Sequence, residues 1–259
     1  MKVATWNVNS IRARLNNLYA WLKTHQPDVV CIQESKCVDQ LFPWKELRLL
    51  NYHSVYFGQP KYNGVAILSK HPISSVYKGF TNLGPHEDEQ ARLISAKVLD
   101  TRIISAYVPN GHAVGSDKFA YKLKWLKRLR EEYLDTLHSP EERLLLCGDF
   151  NVAPEDEDVW DSDVWHNSII THHSVRNALT HVLDFGLQDT FRHLYPERTQ
   201  RYSWWDYSRS GFSSNKGVRI DFIFATQPLI DSCQDVVIDT EERAQTKPSD
   251  HAPIIATFE

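Results

Sequence analysis

The 259 residues contain no membrane-length apolar run and no secretory apolar core, and the chain opens directly on the strand-like KVATWNV. A helix that spans a bilayer needs about 20 consecutive apolar residues. No membrane partner is therefore expected, and a cytoplasmic location is the expectation. Cysteine is sparse: Cys31, Cys37, Cys147 and Cys233 form no C-x-x-C pair, which argues against a zinc knuckle. Cys31 and Cys147 fall inside apolar runs, where a thiol behaves as a small buried hydrophobe. A basic excess is lacking as well, with a net charge of -4 and a pI near 6.3. Proteins that hold DNA by charge alone carry a basic footprint. If phosphate is the target here, a local basic surface and a metal must offset the repulsion. The chain also has no Gly/Ser linker, low-complexity tract, short repeat or heptad. One domain over 1–259 and a monomer are the expectations.

What is present is an apolar share of 42%, enough for a substantial core. Strand-length runs stand at VATWNV, DVVCIQE, GVAILS, RIISAYV, RLLLCGD, YSWWDY, RIDFIFA and APIIATF. Ser10 can cap a helix whose Ile11, Leu15, Leu18 and Leu22 share one face, and Pro27 stops it. A longer helix aligns Phe119, Leu123, Leu126 and Tyr133, and another covers about Val175 to Leu183. His172 and His173 read as loop residues. Helices and strands interleave to the last residue, which predicts an α/β fold. Several strands lie too close together for uniform βαβ crossovers, so the sheets should be mixed.

The chemistry is carried by polar residues that interrupt strand ends. Asn7 and Asn9 end the first strand, and Glu34 ends the second, in CIQESK. Asp149 and Asn151 follow LLLCG, Asp221 breaks RIDFIF, and Asp250 and His251 precede the last strand. A carboxylate inside an apolar strand is costly to bury unless paired, and a histidine is a natural partner for Asp221. Oxygen donors without cysteine suit a hard ion such as Mg²⁺, which takes one or two carboxylates and keeps several waters. A histidine oriented by an aspartate can bond a phosphate or move a proton. Asp149 with Asn151 can position an attacking water.

TWNVNSIR, QESK, YVPNG, GDFN, SWWDY, RIDFI and SDHAP stand in this order along nearly the whole chain. In this the sequence resembles the exonuclease III branch of the endonuclease/exonuclease/phosphatase superfamily. The resemblance implies a four-layer α/β sandwich of two packed mixed β-sheets flanked by helices. It implies Mg²⁺, with Mn²⁺ as a substitute, and double-stranded DNA with abasic sites or blocked 3′ ends as substrate. Glu34 would be the principal metal ligand, with Asn7 and Asp250 at or just behind the ion. A second ion would fall near Asp149, Asn151 and His251. His251, held by Asp221, would bind the scissile phosphate, and Tyr107 would contact it. Asp149 would orient the nucleophilic water, and Asn151 would stabilise the pentacovalent state. The resemblance leaves open whether Asp149 or the His251–Asp221 pair takes the proton. Tyr62, Arg92 and Asn110 align with positions that touch the DNA backbone.

The superfamily core also serves enzymes of inositol phosphates and phospholipids, so the core motifs alone support only a phosphate-ester hydrolase. In the resembled branch, residues at Trp204, Val218 and Ile220 wall a pocket for a flipped-out, baseless sugar, which unstacks at least cost. That favours a phosphodiesterase cutting 5′ to abasic sites or clearing 3′-phosphate and 3′-phosphoglycolate ends, with 3′→5′ exonuclease activity alongside. The stretch 158–173 departs from the branch pattern and adds bulk at Trp165, His166 and Ile170. A loop overhanging the pocket would tilt activity toward 3′ ends. A non-catalytic DNA-binding protein is the third reading, and the full set of acidic residues with His251 speaks against it.

Overall fold

The computed structural model describes residues 1–80, 90–137, 142–207 and 210–259. The first half runs β1 (Lys2–Asn7), α1 (Leu15–His25), β2 (Val29–Gln33), α2 (Trp44–Arg48), β3 (His53–Phe57), β4 (Val65–Ser69) and β5 (Ile73–Lys78). It continues through β6 (Leu93–Val98), β7 (Thr101–Tyr107), α3 (Asp117–Arg128), β8 (Leu144–Asp149) and α4 (His173–Leu183). β9 (Leu187–Asp189), β10 (Asp221–Thr226), β11 (Cys233–Ile238) and β12 (Ile254–Phe258) complete the sheets.

Among the described residues the strands form two six-stranded sheets, β11-β12-β1-β2-β4-β3 and β5-β6-β7-β8-β10-β9. Each has one parallel pair at its centre, β1 with β2 and β7 with β8, and antiparallel neighbours otherwise. Strands covered on both faces read as unbroken apolar runs, and β2 and β8 are buried at every position. Val3, Cys31, Ile67, Ile103, Cys147 and Ile223 fill the space between the sheets. Trp6, Leu18 and Trp21 belong to the core under α1, and Trp125, Leu146, Leu179 and Phe224 to the core under α3 and α4. This is the expected four-layer sandwich.

Four details differ from the sequence expectation. β3, β5, β9 and β11 went unread, and all four are sheet edges. Edge strands bury little: five of the six residues of β5 are exposed, so the alternation that marks a strand is faint. β6, an inner strand, was also missed. Next, α1 starts at Leu15 rather than after Ser10, because Asn9 and Ser10 both take left-handed φ values of 44° and 86°. Ser10 Oγ instead accepts the Ala13 N–H at 3.4 Å in the turn before the helix. YSWWDY is not a strand, and Trp204 makes only single bridges to Val218 and His251. Finally, His172 and His173 open α4: the His172 ring accepts the Ser174 N–H and caps the helix.

Candidate active site

The parallel strands set the site. β1 and β2 pair Asn7 with Gln33, so Asn7 lies beside the residue preceding Glu34. β7, β8 and β10 pair Tyr107 and Asp221 on either side of Asp149. The central strands of both sheets therefore bring their polar ends together. Asp250 and His251 approach on the segment leading into β12, where Trp6 Nε1 donates to the His251 carbonyl at 3.2 Å.

The backbone here is bent unusually. Glu34, Lys36, Asn9 and Asn151 hold φ values between 44° and 53°, a region that costs a non-glycine residue free energy and clusters at functional sites. Gly148 sits at φ +151°, and a Cβ there would lie 1.9 Å from the Ala106 carbonyl oxygen. Only glycine lets β8 pass β7 this closely just before Asp149.

Glu34, Asp149 and His251 each offer a ligand atom, and these atoms lie within 4.8 Å of one another. The Asn7 amide nitrogen bridges the two carboxylates, donating to Glu34 Oε1 at 3.0 Å and Asp149 Oδ2 at 2.9 Å. Its oxygen accepts the Asn9 N–H at 3.0 Å. His251 Nδ1 meets Asp221 Oδ2 at 2.8 Å, and Nε2 faces Asp149 Oδ2 at 3.7 Å. Asp250 stands behind: Trp204 Nε1 and Asn9 Nδ2 each donate to it at 2.9 Å.

Electrostatics separates these groups. Burial pushes the Asp149 carboxyl up to about 7, with Asp221 adding to the rise against the pull of His251. Burial opposes the imidazolium of His251, yet Asp221 and Asp149 outweigh it and raise its pKa to about 10. Burial would also raise Glu34, but the Lys36 ammonium and the Asn7 amide hold it below the usual range. Asp250 is likewise lowered despite burial, by His251 and by the Trp204 and Asn9 donors. Burial, then Glu34 and Asp149, drive the Tyr107 hydroxyl well up, keeping it a donor. The site thus holds Glu34 and Asp250 as ionised carboxylates, Asp149 as a carboxyl that titrates near 7 and His251 as an imidazolium.

Other candidates fall around this centre. Asn151 donates its own N–H to Asp149 Oδ1 at 3.0 Å and its amide to the Val108 carbonyl at 3.0 Å. Asn110 donates to Asn151 Oδ1 at 3.3 Å from the surface. The Arg92 guanidinium lies 4.7 Å from the Tyr107 ring centroid. Tyr62 is exposed on the loop whose Asn63 and Gly64 carbonyls bond Lys36 and Ser35.

Val218 and Ile220 are buried with Ala153, Val159 and Ile170 in a small apolar cluster that Trp204, Trp165 and Ile169 pack against. Trp165 meets Trp204 edge to face, with centroids 6.5 Å apart. The 158–173 stretch therefore packs against Trp204 and the Val218–Ile220 cluster. Its root is fixed by Asp158, which is fully buried and paired with Arg219 Nε at 2.7 Å.

Sequence reasoning overlooked several residues. Lys36 bonds Glu34 Oε2 at 2.7 Å and Asn9 Oδ1 at 2.6 Å; its signal was a lysine two residues after the anchoring carboxylate. Ser203 Oγ accepts the N–H groups of Ile220 and Asp221, and Ser249 Oγ donates to the Asn7 carbonyl at 2.6 Å. A serine inside a motif carries no sign of such a task. Lys122 is fully buried under the loops. Burial lowers its amine to about 7, with Asp149 opposing the drop.

Residues 4–251 match the Endonuclease/Exonuclease/phosphatase family. The chain is 36% identical to the exodeoxyribonuclease III of Haemophilus influenzae over 270 residues, covering all of both. It superposes at a TM-score of 0.95 and 38% identity on an AP endonuclease from Archaeoglobus fulgidus, covering 100% of this chain and 99% of that one. A Neisseria 3′ phosphatase bound to product DNA hairpin gives the same TM-score, identity and coverage. With these motifs, this sandwich and this gathering of Glu34, Asp149 and His251, the chain belongs to the exonuclease III branch of the endonuclease/exonuclease/phosphatase family.

Proposed function

We propose that this protein is a Mg²⁺-dependent DNA-repair phosphodiesterase that acts on 3′-blocked ends and at abasic sites. The reading takes residues 1–259 as one working unit, since both sheets supply site residues, and takes the protein to act as a monomer. The observation that carries it is the His251–Asp221 pair at 2.8 Å, set 3.7 Å from Asp149 and within ligand reach of Glu34. Two carboxylates, Glu34 and Asp149, beside a protonated imidazole make a hard oxygen donor set that fits Mg²⁺ better than zinc.

Glu34 would hold the ion, and Asn7 and Asp250 would keep its surroundings in place. When bound, the ion supplies Lewis-acid stabilisation of the charge that develops on phosphate oxygens. His251, a proton donor through Nε2, bonds a non-bridging phosphate oxygen while Asp221 fixes its ring. Tyr107 adds a second donor from the other sheet. Asp149, with one oxygen held by Asn7 and the other by the Asn151 N–H, orients the water and takes its proton as the water oxygen attacks phosphorus. Asn151 would stabilise the pentacovalent state. The P–O bond to the leaving strand or sugar oxygen breaks as the new one forms.

For substrate choice, Trp204, Val218 and Ile220 suit a sugar without a base, and Trp165 narrows the space beside Trp204. A 3′-phosphate at a nick needs less of that space than an internal abasic nucleotide, so 3′-end clearance should dominate. The test is a gel assay with Mg²⁺ on two labelled duplexes, one with an internal abasic site and one with a 3′-phosphate at a nick, each repeated in EDTA. Metal-dependent turnover of the nicked duplex is expected, with weaker cleavage of the abasic one. Inertness toward both, with turnover of an inositol phosphate, would overturn the reading.

A further inference from the structure

α3 packs over the second sheet with its lysines and arginines mostly outward, yet Lys122 points inward and is fully buried. A buried ammonium is costly unless each N–H finds an acceptor. Lys122 Nζ finds three, all main-chain carbonyls: Asn110 at 3.1 Å, Asn151 at 2.6 Å and Ile169 at 2.7 Å. Three acceptors match the three N–H groups of the protonated form, so these bonds hold the proton that burial works to release. The stem fits as closely, since a Cβ on Gly111, at φ +98°, would stand 3.1 Å from Lys122 Cδ.

The three carbonyls come from three separate segments. Asn110 follows β7 and Asn151 follows β8, and the two side chains bond each other at 3.3 Å. Ile169 lies near the far end of the loop that carries Trp165 to Trp204, next to Ile170 of the pocket cluster. A methionine or leucine would serve the core under α3 without the cost of burying charge. What a methylene chain could not do is tie the hydrolytic loops to the loop that packs on Trp204. Asn151 is held from two sides: its N–H bonds Asp149 and its carbonyl takes the shortest of the three Lys122 bonds.

We propose that Lys122 is a positioning residue that couples the alignment of Asn151 and Asp149 to the placement of the Trp165 loop, so that one side chain sets both turnover and substrate selection. This rests on the function proposed above. Loss of the ammonium frees three carbonyls at once, letting Asn151 turn away from Asp149 and the Trp165 loop lift from the pocket.

Lys122→Met keeps the length of the side chain and removes the donors. Its kcat on the 3′-phosphate nick should fall by about 100-fold with KM little changed, because a misplacement of about 1 Å costs that much. The ratio of abasic cleavage to 3′-phosphate removal should rise by about 10-fold as the pocket opens. Leu229→Ala, in the core between the sheets, is the control for lost stability, matched by working at equal distance below each Tm. If Lys122→Met does not fold, Lys122→Gln, whose shorter amide carries two N–H donors and no charge, is read by the same two quantities. A kcat loss and a ratio shift absent from Leu229→Ala support the coupling. An unchanged ratio, or a kcat loss no larger than the control's, overturns it. Wild-type protein inert on both duplexes would sink the function instead, so the two failures are distinguishable.

Discussion

At the Glu34–Asp149–His251 end, the charged side chains leave from or beside the ends of central strands, whereas the Trp204–Val218–Ile220 end is walled by residues outside the strands. The first end is polar and tied by direct bonds, with Asn7 spanning two carboxylates and Asp221 seating His251. The second is apolar, and its shape depends on a loop anchored by Asp158–Arg219 and by the Ile169 carbonyl. Strand ends are held by the strands on either side, whereas loops hold shape through fewer contacts and tolerate change. Substitutions at the polar end should therefore act on whether chemistry happens, and substitutions at the apolar end on which substrate it happens to.

The largest effect is expected at Glu34. Glu34→Gln keeps the shape and the Asn7 contact but removes the charge that Lys36 and the ion answer to. Turnover of the nicked duplex should drop by roughly 10³-fold, the upper range for loss of one charge-stabilising group. Calorimetric titration with Mg²⁺ should show weakened binding, while DNA affinity in EDTA stays measurable and still declines with salt. Near-normal turnover would break the distinction between the two ends.

Asp221→Asn comes next, with a loss of about 10²-fold expected from a mispositioned acid–base group. The sign of its pH dependence follows from the imidazole. Asp221 and Asp149 keep His251 protonated up to about 10, so the native donor survives throughout the working range. Without Asp221, the raised pKa falls back and the ring loses its proton at lower pH. The variant's rate should then fall as pH rises through the range where the native rate holds. A parallel pair of pH–rate profiles would contradict the assigned role.

At the apolar end the expected effect is smaller and selective. Trp165→Ala removes the edge that meets Trp204 and should raise abasic cleavage relative to 3′-phosphate removal by about 10-fold, in the range a pocket contact controls. Rates on the nicked duplex should hardly move. An equal fall on both substrates would mean that Trp165 supports the fold of the loop and nothing more.

The same contrast explains what could be read from the sequence. Glu34, Asp149, Asp221 and His251 were legible because a charged or polar residue at the end of an apolar run is conspicuous whatever the fold. The interior strands were legible for the matching reason, as unbroken apolar runs. The four edge strands were not, because β5 and its counterparts bury too little to leave a pattern. Ser203, Ser249 and Lys122 were hidden because each works on main-chain groups of residues remote in sequence. Trp165 was visible as bulk, but its meeting with Trp204 depends on a loop path that no periodicity encodes.

The smallest effect should come from a region remote from both ends, where α1 faces the segment after β11. Trp21 Nε1 donates to Asp239 at 2.8 Å, His25 approaches the same carboxylate at 3.2 Å, and Asn17 donates to Glu242 at 3.2 Å. Burial pushes the Glu242 carboxyl up to about 7, with Asp239 adding to the rise and Asn17 opposing it. The unfolded chain gives up this proton near the ordinary glutamate value of 4.5, while the folded chain keeps it until about 7. Between those limits the native state binds more protons, so stability falls as pH rises. Glu242→Gln cannot ionise and escapes that loss. Melting curves in EDTA should therefore agree for the two proteins below pH 4.5 and separate in favour of the variant as pH climbs to 7, with activity on the nicked duplex the same in both. A native protein that melts as high as the variant, or higher, across this window would show that Glu242 is ionised and paired in the folded state.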